Sequence, residues 1–147
     1  MNKNTIIKYL STDRAFGILS RNALELQIKN LQGPFDAVFF DFNNLKELNI
    51  KIGYKEVNEK IREMFKTFPF KRTELVGRWF YGDEIVIITT TGYLIELTQR
   101  LLKHCSEFGL FFKYKTFYNM CTFHQLEDSI YTECNPQLMI ATVKNLT

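Results

Sequence analysis

The hydrophobic positions change period several times along the chain, and each change predicts an element. Residues 1–12 form a short polar lead. Ser20 then opens a helical pattern with Leu24, Ile28 and Leu31 on one face at i, i+4 and i+7, and Gly33-Pro34 ends it. Ala37 to Phe40 is a continuous apolar run, as expected of a central strand buried on both faces, and Asp41 stands where it ends. From Asn44 the period is helical, with Leu45, Leu48 and Ile52 on one stripe up to Gly53. A second helix faces inward through Val57, Ile61, Met64, Phe65 and Phe68 and stops at Pro69. Leu75 to Phe80 and Ile85 to Thr90 read as strands joined by a tight turn over Tyr81-Gly82-Asp83-Glu84, a β-hairpin. Ile95 to Cys105 is an amphipathic helix ended near Gly109, and Leu110 to Tyr118 is a β-rich aromatic segment. His124 to Asn145 reads as a helical tail in two pieces, broken at Asn135-Pro136.

From the first strand onward the order β-α-α-β-β-α-β-α implies an α+β domain. It has one antiparallel-centred sheet with helices over one face, the split-βαβ arrangement. The 147 residues suit a single domain spanning 1–147, and 46% apolar residues with 14 Phe supply a core. No apolar run approaches the roughly 20 residues of a membrane helix, and the first residues lack a signal-peptide pattern. Cys105, Cys121 and Cys134 have no metal-ligand spacing and are odd in number, which predicts reduced thiols in a cytoplasmic protein. His104 beside Cys105 reads as structural. A net charge of +3 suits a phosphate-bearing ligand without pointing to nucleic acid.

Candidate chemistry gathers at two acidic spots. Asp41 leaves the first strand, and Asp83 and Glu84 occupy the hairpin turn. If that strand lies beside the hairpin, three carboxylates converge with no basic residue written among them, and such charges repel unless a divalent cation compensates them. Mg²⁺ is the expected ion, because it takes one or two carboxylates together with substrate phosphates. Such a site can clamp a triphosphate and activate a hydroxyl. Lys46, one turn into the next helix, is placed to contact phosphate. The alternative is local: an Asp between strand and helix is a common N-cap, and Gly-Asp is ordinary turn chemistry.

Three segments in order resemble the GGDEF family. Asp13-Arg14-Ala15-Phe16-Gly17-Ile18-Leu19-Ser20-Arg21 is similar to the lead D-x-L-T-G-L-x-N-R. Asp41 to Asn58 is similar to D-x-D-x-F-K-x-x-N-D-x-x-G-H-x-x-G-D, keeping the first Asp, Lys46, Asn49 and Gly53 in register. Tyr81-Gly82-Asp83-Glu84-Ile85 falls where the G-G-D-E-F signature belongs. The match covers roughly Asp13 to Tyr118 and fades over the divergent segment 124–147.

The resemblance implies a ferredoxin-like palm that condenses two nucleoside triphosphates into a cyclic dinucleotide, cyclic di-GMP by family default. Two protomers face each other, at least transiently, each holding one triphosphate. Carried over, Asp41 and Asp83 would hold Mg²⁺ (or Mn²⁺) with the Phe42 carbonyl. Glu84 would act on the attacking 3′-hydroxyl or complete the metal shell. Lys46 would hold phosphate, Gly82 would admit the nucleotide close to backbone, and Asn49 and Asn58 would read the base.

The departures shape the expectation further. Tyr81 replaces the first signature Gly and puts a large side chain where the nucleotide passes. Asn58 replaces the Asp that reads guanine, and an amide suits the adenine edge, so ATP joins GTP as expected substrate. Arg78 lies one residue earlier than the family Arg. Leu75 stands at the Asp of the inhibitory R-x-x-D that begins at Arg72. The closing A-D-x-A-L-Y-x-A-K-x-x-G-R-N pattern is barely traceable in Asn135 to Asn145, with Lys144 a loose counterpart of its Lys. Two alternatives stand beside an active cyclase. One is a degenerate domain that binds a nucleotide or a protein without turnover. The other is a relative of the CRISPR-polymerase palm making cyclic nucleotides in antiviral defence, from which the Asp13–Arg21 lead argues away.

Overall fold

The computed structural model describes residues 12–43, 45–80 and 83–134. Tyr81, Gly82, the lead before Thr12 and the Asn135–Asn145 half of the expected tail lie outside them. The described elements run α1 (Arg21–Lys29), β1 (Phe35–Phe42), α2 (Leu45–Ile52), α3 (Tyr54–Thr67), β2 (Leu75–Arg78), β3 (Glu84–Thr90), α4 (Leu94–Glu107), β4 (Phe112–Met120) and α5 (Phe123–Cys134). The four strands form one antiparallel sheet in the order β2-β3-β1-β4. None of the described helices is long and apolar enough to cross a membrane.

Each boundary has a local cause. The Ser20 hydroxyl caps α1 by accepting from the Ala23 N–H at 3.2 Å. Leu24 and Ile28 are buried from α1, but Leu31 falls past its end and is exposed, contrary to the stripe expected. Between α2 and α3, Gly53 takes φ +89°, a value glycine adopts freely, and this lets one helix follow the other at once. On α2 the expected stripe is only half realised. Leu45 is buried, Leu48 partly so, and Ile52 is exposed.

Strand β1 is central, and from Phe35 to Phe40 every residue is buried. Its alternate side chains feed two separate cores. Val38, Phe40 and Phe42 join Val57, Ile61, Met64 and Phe65 of α3 and Leu97, Leu101 and Cys105 of α4. Phe35, Ala37 and Phe39 join Leu24 and Ile28 of α1 and Phe123, Leu126 and Ile130 of α5. Helices therefore cover both faces of the sheet, which corrects the expectation of a one-sided cover. The reason is readable in β1 itself, since a continuous apolar run needs an apolar partner on each side. Gly77 lets α1 lie directly on β2, because a Cβ there would stand 2.9 Å from that of Leu24.

His104 ties α4 to α3, its Nε2 lying 2.9 Å from the Met64 carbonyl and 3.0 Å from the Thr67 hydroxyl. Its role is structural, as expected. Cys105 and Cys121 carry free thiols, and burial pushes the Cys105 thiol up to about 12.

Candidate metal and nucleotide site

The site lies at the end of the sheet where β1 stops and β3 begins. The register sets Asp41 directly opposite Glu84 on β3 and opposite Lys113 on β4. In an antiparallel pair directly opposed residues share a face, with Cβ atoms about 4.5–5.5 Å apart. A row Glu84–Asp41–Lys113 therefore crosses three strands on one face. Asp83 precedes β3 and is close enough to Asp41 for the two carboxylates to repel.

The electrostatics follow from that placement. Asp41 has an elevated pKa, first because the surrounding protein removes part of its hydration; Lys113 and a hydrogen bond from the Phe42 backbone oppose the rise. Asp83 is raised as well, first by burial, then by the Asp41 charge, with Arg78 opposing. Two acids on one edge thus carry charge at a cost, and added positive charge would relieve it.

The sequence expectation is corrected in two respects. Basic residues do reach the carboxylates, since Lys113 arrives on β4 and Arg78 on β2. Nor do three carboxylates close into a cage: among the described residues no group of three Asp, Glu, His or Cys is arranged to hold a metal ion.

Arg78 is largely committed elsewhere. Its Nη1 donates to Asp13 Oδ1 at 3.1 Å, and its guanidinium lies 4.0 Å above the Phe16 ring. The same Asp13 oxygen accepts from the Phe16 N–H at 3.0 Å. The lead is further bound to β2 through Leu19 N–H to the Val76 carbonyl (3.1 Å) and Arg78 N–H to the Leu19 carbonyl (2.9 Å). Asp13 to Leu19 therefore acts as a brace for the strand that leads into the turn.

The remaining candidates fall as follows. Phe42 is buried, its ring 5.7 Å from Phe40 and 6.4 Å from Phe16, so the residue beside Asp41 is packed into the core. Lys46 is exposed on the first turn of α2. Asn49, one turn on, is half-buried, and its Oδ1 is buried without a hydrogen-bond partner among the described residues. Such an atom is costly unless something supplies a donor. Asn58 is half-buried on α3. Glu84 is the first residue of β3 and is partly buried. Tyr81 and Gly82 lie outside the described residues. Lys113 went unnoticed in the sequence, although the alternation Phe112-Lys113-Tyr114-Lys115 already sets it on the opposite face from Phe112.

No protein-family model and no curated protein matches the chain in sequence. Solved structures do match in shape. A microbial GGDEF domain described with cyclic di-GMP aligns at 19% identity and TM-score 0.65, covering 78% of this chain and 80% of its own. A diguanylate cyclase/phosphodiesterase from Caldicellulosiruptor saccharolyticus aligns at 16% identity and TM-score 0.61, covering 95% and 91%. Vibrio cholerae LapD, comprising an S helix, GGDEF and EAL regions and bound to cyclic di-GMP, aligns at 14% identity and TM-score 0.73; 91% of this chain matches 36% of that one. The fold is that of GGDEF domains, an α+β palm.

Proposed function

We propose that this domain binds a nucleoside triphosphate with Mg²⁺ and condenses two such molecules into a cyclic dinucleotide. The observation that carries the reading is the convergence of Asp41 and Asp83 at one sheet edge, where the pKa of each is raised from its ordinary value, first by burial. Burial and mutual repulsion make a site whose natural complement is a hard cation. A pair of carboxylates, rather than a full cage, suits Mg²⁺ or Mn²⁺ completed by substrate phosphates. When bound, the ion supplies charge neutralisation at the α-phosphate and a more acidic hydroxyl.

The chain's own groups divide the remaining work. Asp41, Asp83 and the Phe42 carbonyl hold the ion. Glu84, opposite Asp41, takes the proton of the attacking 3′-hydroxyl or completes the metal shell. Lys46 holds phosphate at the start of α2, and Gly82 admits the nucleotide close to the backbone beside Tyr81. Asn49 and Asn58 read the base. With an amide rather than a carboxylate at 58, ATP is used at least as well as GTP.

Bond formation between two bound triphosphates needs two protomers face to face, so activity rises faster than linearly with protein concentration in the dilute range. Incubation with each triphosphate and Mg²⁺ or Mn²⁺, with products identified by mass spectrometry, tests the reading. Cyclic dinucleotide is expected, including adenine-containing species.

One observation favours the second reading, binding without turnover. Among the described residues the last helix is α5, which precedes the Asn135–Asn145 segment. Along α5, Ser129-Ile130-Tyr131 stands as the Ala-Leu-Tyr of that motif, and Cys134 then occupies the place of its Lys. In that case the same incubation returns the triphosphates unchanged, while calorimetry still detects nucleotide binding that Asp41→Asn removes.

A further inference from the structure

We propose that Lys113 is a phosphate-binding residue of this site, a counter-ion to Asp41 that transfers to the triphosphate when a cation takes the carboxylate. The inference rests on the site reading above and adds a residue to it.

The strand order brings Lys113 there. Strand β4 lies beside β1, and Lys113 pairs in register with Asp41 on the face that also carries Glu84. The Asn43 N–H donates to the Phe111 carbonyl at 2.8 Å, which fastens the start of β4 to the segment leaving β1 and holds that register at the site's edge. Lys113 is exposed, and among the described residues its ammonium makes no hydrogen bond and no close ion pair. Lys115, two residues on and on the same face, differs: its Nζ stands 3.9 Å from Glu133 of α5. Arg78, the other cation near the acids, is held by Asp13 and the Phe16 ring. Lys113 is thus the cation whose charge reaches Asp41 while its donors remain available.

A triphosphate with one divalent ion remains anionic, and a flexible ammonium is a suitable point charge for it. The same ammonium opposes entry of a bare cation beside Asp41. One lysine therefore acts with opposite sign on the two ligands, which a general effect on folding would not produce.

The test uses the full chain as wild type, Lys113→Gln and Lys113→Arg. Each is titrated with Mn²⁺ alone and then with ATP and GTP at saturating Mn²⁺, with the thermal midpoint recorded. Lys113→Gln is expected to bind Mn²⁺ alone about threefold or more tightly and nucleotide about tenfold more weakly at an unchanged midpoint. Lys113→Arg restores most of the nucleotide affinity. Unchanged nucleotide affinity in Lys113→Gln, with the wild type binding both ligands, overturns the lysine's role and leaves the site intact. Parallel weakening for Mn²⁺ and nucleotide also overturns it. A wild type that binds neither Mn²⁺ nor nucleotide sinks the site reading and the lysine's role together.

Discussion

Strand β1 carries an aspartate near each end, and the two have opposite environments. Asp36 is 2% exposed, and its two oxygens accept from the Gly92 N–H at 3.0 Å and the Asn119 N–H at 2.9 Å. It fastens the β3–α4 turn and strand β4 to the central strand. Asp41, five residues on, keeps solvent contact, faces Glu84 across the pair and is repelled by Asp83. Residue type is the same, but one carboxylate has both oxygens satisfied by backbone donors from distant elements, whereas the other takes a hydrogen bond from its own neighbour Phe42. A charge that the fold satisfies stabilises it, and a charge left partly uncompensated is available to a ligand.

The largest expected effect separates these roles outright. Asp41→Asn or Asp83→Asn should abolish product formation and Mn²⁺ binding while leaving the thermal midpoint unchanged or higher, because repulsion between the acids is relieved. Full activity in either variant would remove that residue from the mechanism, and a large destabilisation would return it to a capping role. Asp36→Ala should do the reverse. It leaves two backbone N–H groups without their acceptor and should cost about 3 kcal/mol, lowering the midpoint by about 10 °C, with the nucleotide affinity of the folded fraction retained. A midpoint within a degree or two of wild type would mean that water replaces the carboxylate.

A subtler effect concerns pH. Both site acids have folded pKa values raised above the unfolded ones, so in the window between them the native state binds more protons. Their contribution therefore favours folding at low pH and is lost as pH rises through the unfolded and then the folded pKa. The double Asn variant should lack this slope, as read from urea midpoints across the acidic range. Mn²⁺ affinity has the opposite trend and falls as pH drops through the raised values, because the ion needs both carboxylates ionised. An identical pH profile in the double variant would assign the slope to other acids.

The smallest expected effect is on the base. Asn58→Asp should move preference toward GTP by about 1–3 kcal/mol in competition between equimolar ATP and GTP. A wild type that already yields overwhelmingly cyclic di-GMP would show that Asn58 does not select the base.

Much of this architecture is legible from local pattern. The run from Ala37 to Phe40, the Val57–Phe65 helical face, the antiparallel pairing of β2 with β3 and the Ser20 cap all follow from period and turn chemistry acting over a few residues. Asp41 and Asp83 are legible as candidates for the same reason, since each marks the end of a strand. What tertiary structure decided was who stands beside them. Only the order β2-β3-β1-β4 brings Lys113 to Asp41. Only the packing of the Asp13–Leu19 lead on β2 holds Arg78 at Asp13. The distinction between Asp36 and Asp41 also depends on backbone donors more than fifty residues away in the chain. Periodicity records how a residue is buried by its own element, whereas compensation of a charge depends on groups that approach from other elements, and those contacts leave no local period.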